Sequence, residues 1–225
     1  MRLLIADLKR PKRFLYILTK SNWRSWMVWG AWFLTAHGAL SAAWLLFAWL
    51  GRDDLLTLSS WPVIVTAILA TSYTGFLFAQ GLARDLWQGP YAAVDLVAQS
   101  GAAGSAALLL ATFVGIDQAA ARPVLSIMLG GSLVVHTGVL LVEQVIARSP
   151  TRHHRMAVDT IRRGPLAPLF WGVVIAAGSL IPISLLFGGM WIGAVGVALA
   201  ALLALAGSAA WEYIWVEAGQ SVPLS

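Results

Sequence analysis

Six runs of roughly 20 predominantly apolar residues follow one another along this chain, the helix length needed to cross a hydrocarbon core about 30 Å thick. They cover about Trp26 to Leu50, Trp61 to Ala83, Tyr91 to Gly115, Pro123 to Ala147, Leu166 to Phe187 and Trp191 to Val216. No water satisfies an open backbone in hydrocarbon, so runs of this kind must coil into helices. The expectation is an all-α, polytopic transmembrane helical bundle of about six helices. Composition agrees: 59% of the 225 residues are hydrophobic and 11% are charged. A soluble domain carries about 25% charged residues. With a mean hydropathy of +0.78, the chain cannot be wetted on all sides, and its main solvent is lipid.

No segment between the runs is long enough to build a core of its own. Residues 1–225 therefore read as a single transmembrane domain, with a basic juxtamembrane segment at 1–25, six helices within 26–216 and a tail at 217–225. Trp61-Pro62 opens the second span, which puts a proline in a first helical turn, where its missing N–H costs little. The short Gly188-Gly189 turn makes the last two spans antiparallel neighbours. Small residues such as Gly101, Gly104, Gly193 and Gly196 read as faces where helices approach closely.

Charge then orients the chain. Thirteen of the fifteen Lys and Arg residues fall in the N-terminal segment, in the loop with Arg84 and in the loop from Arg148 to Gly164, whereas Arg52 and Arg122 stand alone on the opposite side. The positive-inside rule puts both termini in the cytoplasm. Trp23, Trp26, Trp87 and Trp215 would mark the inner interface, and Trp49, Trp61 and Trp191 the outer one. The net charge of +5 is thus a juxtamembrane feature, and nucleic acid is not an expected partner. Lys9, Arg10, Lys12 and Arg13 around Pro11, followed by Phe14 to Leu18, read as an interfacial helix on anionic lipid. The interrupted patch Leu3 to Leu8 is too short for a signal peptide.

The absence of cysteine rules out disulfides, thiolate-bound zinc and iron–sulfur clusters carried by this chain. Any cluster must sit on a partner. No phosphate-cradling loop, metalloprotease motif or Ser/His/Asp arrangement occurs, so neither a catalytic residue nor a metal ligand is assigned.

Ionisable groups inside a membrane are expensive, and each is a functional candidate. His37, Tyr73 and His136 fall near mid-depth; Gln80, Asp95, Gln99, Glu143 and Glu212 lie nearer the cytoplasmic ends. Asp95 and Gln99 share a helix face at a spacing of four, as do His136 and Glu143 at seven. Glu143 and His136 make a ladder of protonatable groups, and Asp95 with Gln99 a shorter one, suited to proton access toward a redox or transport site. Gln80, Asp95 and Glu212 also fit snorkelling near helix ends. Two mid-depth histidines, His37 and His136, permit bis-imidazole haem ligation as an alternative. A non-redox, proton-translocating or structural subunit is a further alternative. His153 and His154, among loop arginines, are expected to be solvated.

Several segments resemble the polysulfide reductase membrane-subunit family (NrfD/PsrC-like), quinone-reactive anchors of molybdenum and iron–sulfur oxidoreductases. DLKRPKRFLYIL, Asp7 to Leu18, is similar to the family's "DLGRP…RF" loop. SNWRSWMVWGAWFLTAHG, Ser21 to Gly38, is similar to its "SxMSxGSW" helix start. SYTGFLFAQGLARDLWQGP, Ser72 to Pro90, stands where the family carries "YTG" and "PLWNTP", and the tail Ala218 to Ser225 is also similar. The resemblance implies a bound quinone (menaquinone or ubiquinone), an iron–sulfur ferredoxin-like subunit, a molybdopterin catalytic subunit, anaerobic respiration, and a multi-pass location in a bacterial inner membrane. It implies that Tyr73 donates a hydrogen bond to a quinone carbonyl, with His37 or His136 assisting and Glu143, Asp95 and Gln99 as a proton pathway. Family members usually carry two more helices ahead of the Asp-Leu-x-Arg-Pro loop. The expectation is a truncated start, or a separate chain supplying two further helices.

Overall fold

The computed structural model describes Tyr16, Lys20 and residues 22–80, 84–114, 119–187 and 193–222. The basic cluster from Lys9 to Arg13, the Gly188-Gly189 turn and Trp191 lie outside them. Helices dominate: α1 Trp26–Trp49, α2 Asp53–Ala79, α3 Ala92–Ala111, α4 Arg122–Leu141, α5 Arg152–Arg162, α6 Leu169–Phe187 and α7 Gly193–Gln220. Six of them, all but α5, are long and apolar enough to cross a membrane, and no strand occurs among the described residues. The chain is an all-α polytopic protein. It divides into two compact units, residues 1–77 and 78–225.

In the first unit, α1 ends in a glycine turn that its sequence anticipates. Gly51 takes φ 64°, a conformation open to glycine at little cost. Its N–H donates to the Ala48 carbonyl and that of Arg52 to the Phe47 carbonyl, the paired bonds that close a helix C-terminus. Helix α2 then begins eight residues before the expected Trp61. Asp53 and Asp54 occupy its first turn, where carboxylates favour the positive end of the helix dipole, and Arg52 holds Asp54 with two hydrogen bonds of 2.9 and 2.7 Å. Pro62 is consequently inside the helix, not in its first turn. Contacts between the two helices pair Trp26 with Phe76, Gly30 with Tyr73 and His37 with Thr66, so α1 and α2 run antiparallel.

The second unit has two apolar cores. One joins Ala102, Ala106 and Leu109 of α3 to Leu129 and Leu133 of α4 and Ala201 and Ala204 of α7. The other gathers Leu140, Ala157, Ile161, Phe170, Trp211 and Ile214. Gly178 of α6 meets Gly207 of α7 backbone to backbone, the close approach that small residues permit in membranes. Two stretches widen to π-helix, Val142–Ile146 directly after α4 and Leu169–Leu180 in α6.

The basic loop contains a helix that hydropathy does not flag. Thr151 caps α5 by accepting from the His154 N–H at 3.0 Å, and Ala157, Val158 and Ile161 turn its apolar stripe into the core. His154 is accordingly half-buried, not solvated as expected, and its Nδ1 is enclosed without a hydrogen-bond partner. Burial pushes its pKa below the ordinary value of 6.5, opposed by the weaker pull of Asp85.

Arginines close three helix ends. Arg84 donates to the carbonyls of Gly219 in the last turn of α7 and Val222 just beyond it, at 3.0 and 2.9 Å. Arg122 donates to the Thr112 carbonyl and hydroxyl at the end of α3. Arg162 donates to Gln144 and Val145 at the end of the first π-turn. Each cation meets orphan carbonyls at the negative end of a helix dipole. With the Thr151–Asp85 hydrogen bond, these contacts gather residues 84–85, 151–162 and 219–222 at one end of the unit.

Candidate functional site

A polar layer interrupts the apolar spans of residues 78–225. It comes from three of them: Asp95 and Gln99 from the first turns of α3, His136 from α4 between Leu133 and Leu140, and Glu212 from α7 beside Trp211. The π-turn after α4 adds Glu143. Its wider winding changes the face on which Glu143 would follow His136.

The centre is a hydrogen-bonded histidine–carboxylate pair. His136 Nδ1 approaches Asp95 Oδ1 to 2.6 Å, with His136 2% and Asp95 8% exposed. A contact this short and dry is a charge-assisted hydrogen bond. The nitrogen that donates to the carboxylate carries the proton, so in the neutral ring Nε2 is the basic atom. The ring meets Trp211 edge-on at 6.4 Å between centroids. Beside the pair lies a crevice lined by Asp95, Gln99, Glu143, Trp211 and Glu212 among others, leaving about 20 Å³ for the centres of water-sized molecules. That is room for about one water. Glu143 accepts from the Tyr91 N–H at 3.2 Å.

Thus the two ladders read separately from sequence are joined: His136 of one binds Asp95 of the other, and Glu143 lines the crevice together with Asp95 and Gln99. Glu212, which reads as a helix-end residue, lines the same space. Only side-chain packing between α3, α4 and α7 could reveal this, although the rarity of carboxylates within spans was a fair signal. Gln80 ends α2 exposed and is not part of the layer.

His37 and Tyr73 belong to residues 1–77. Thr66 directs its hydroxyl proton to the Pro62 carbonyl at 2.8 Å, so His37 Nδ1–H donates to Thr66 Oγ1 at 3.2 Å. Its Nε2 then carries the lone pair. Tyr73 is partly buried, its ring lying across Gly30, where any β-carbon would collide with it. Among the described residues no three His, Asp or Glu side chains are grouped to hold a metal ion. An open apolar groove lined by Tyr91, Val134, Val135, Gly138, Val139 and Val142 suits a hydrocarbon chain.

Fold and polar layer define a multi-pass membrane protein with ionisable groups paired inside its spans. Residues 1–223 match the family described as Polysulphide reductase, NrfD, and the chain belongs to that family. It is also similar to a protein of Halobacterium salinarum provisionally named as a membrane subunit of dimethyl sulfoxide reductase, 30% identical over 130 residues. That match takes in 48% of this chain and 30% of the relative's length.

Proposed function

We propose that the chain is a membrane anchor subunit of a multi-subunit oxidoreductase and links it to the quinone pool. In this reading electrons pass between an iron–sulfur, ferredoxin-like partner and quinone, and a molybdopterin subunit carries the substrate chemistry. The family match along residues 1–223 carries the reading, and the relative's name, a reductase membrane subunit, agrees with it. A bound quinone would supply a carrier of two electrons and two protons.

The chain's own residues divide that work. Tyr73 is partly exposed and its ring is held against Gly30, which suits a phenol that donates to a carbonyl oxygen. His37, with Nδ1–H spent on Thr66, keeps Nε2 as an acceptor or relay. The crevice beside Asp95 has room for about one water and not for a ring. His136, Asp95, Glu143 and Gln99 therefore serve proton supply, and His136 assists through its pair with Asp95.

Tyr73→Phe in the purified complex is expected to lower quinone-linked turnover by about 10²-fold, the size of effect of one positioned proton donor. Dye-linked activity of the soluble subunits stays unchanged. Undiminished quinone turnover would overturn the assignment of Tyr73.

A further inference from the structure

The crevice between α3, α4 and α7 holds more acid than its surroundings neutralise. Asp95, Glu143 and Glu212 all line it, and neither lysine nor arginine does. Asp95 has His136 as its partner, and Glu143 has one backbone N–H. Glu212 lies within electrostatic reach of Asp95 and His136 and faces the Gln99 amide. Gln99 is 7% exposed, and its buried Nε2 has no close hydrogen-bond partner in the crevice that it lines. A polar gap of this kind is the setting of a bridging water. A buried donor left unmatched would cost free energy that a bound water recovers.

We propose that this crevice is a proton-binding site in which Glu212 is the exchanging carboxyl, linked to Glu143 and to the Asp95–His136 pair through one water held by Gln99. Three carboxylates and neither lysine nor arginine line this small space, and like charges held that close repel one another, a cost that a bound proton relieves. The cluster therefore retains a proton at neutral pH. Transfer is a relay of that proton alone: Glu212 O–H gives it to the water, the water passes a proton to Glu143 or the Asp95–His136 pair, and no bond other than O–H or N–H changes. Glu212 thereby joins the proton route proposed above, and the inference rests on that route for its purpose.

The test is infrared spectroscopy of the purified full chain in lipid nanodiscs at neutral pH. A carboxylic-acid C=O stretch is expected that moves on deuteration, disappears on titration to alkaline pH, and is lost or redistributed in Glu212→Gln. Gln99→Leu should retain the band and shift its frequency, since the water loses its amide donor. Should Glu212→Gln fail to fold, the wild-type titration and Glu143→Gln decide alone. A wild-type spectrum with no carboxylic-acid band at neutral pH overturns the proposal, as does a band indifferent to both glutamate substitutions. The readout needs no quinone, so its failure leaves the Tyr73 reading standing, and unchanged quinone turnover in Tyr73→Phe leaves this site standing.

Discussion

Single residues in this protein matter through what they pair with. Asp95 and His136 are both enclosed, and a polar pair removed from water is held together chiefly by the cost of breaking it. Removing one partner strands the other in a medium that cannot solvate it. Asp95→Leu or His136→Leu alone should destabilise residues 78–225 by about 3–5 kcal/mol, while the double substitution costs markedly less. A double-mutant cycle of denaturant midpoints in detergent checks this, and additive effects would argue against a coupled pair. Gly30 matters by what it lacks, since the Tyr73 ring occupies the space of its side chain. A sequence shows the glycine and the tyrosine 43 positions apart and gives no sign that one seats the other.

At the scale of elements, α5 is the instructive case. The stretch from Arg148 to Gly164 that contains it reads as a loop because basic residues dilute the hydropathy. Yet Ala157, Val158 and Ile161 recur at helical spacing, and Thr151 precedes the stretch as a cap should. The signal is therefore in the sequence, but the stretch is too short and too charged for a span-length apolar pattern to mark it. Its packing encloses His154, whose pKa is lowered by burial. The neutral form therefore stabilises the fold above the ordinary value of 6.5, and that contribution is lost as the pH falls through the lower folded value. Hydrogen-exchange protection of α5, corrected for intrinsic rates, should fall on acidification below about 6.5. In His154→Phe the pH dependence should vanish, and persistence of the full effect in that variant would exclude His154 as its source. The start of α2 teaches the converse lesson. Trp61-Pro62 reads as a first turn, but the Asp53-Asp54 pair and the Gly51 turn set the boundary, because helix dipole and chain reversal outweigh the preference of one proline.

For the whole molecule, orientation is the property that charge decides and packing does not. Arg84 and Arg162 count toward the positive-inside sum and also close helix ends, so the same charges serve insertion and the finished fold. The chain has no cysteine, which makes single-cysteine labelling clean. Ser149→Cys should react with a membrane-impermeant maleimide only in permeabilised cells, and Ala120→Cys in intact cells. The reverse pattern would invert the proposed topology. By itself, the sequence determined the solvent, the six spans, the family and the set of costly intramembrane side chains, because hydropathy and charge act locally along a chain. Only the tertiary structure decided which of those side chains meet. Asp95 and His136 lie 41 residues apart on separate helices, and the rotation of each helix about its axis follows from packing against its neighbours. That rotation, with the π-turn carrying Glu143, converts scattered acids into one crevice.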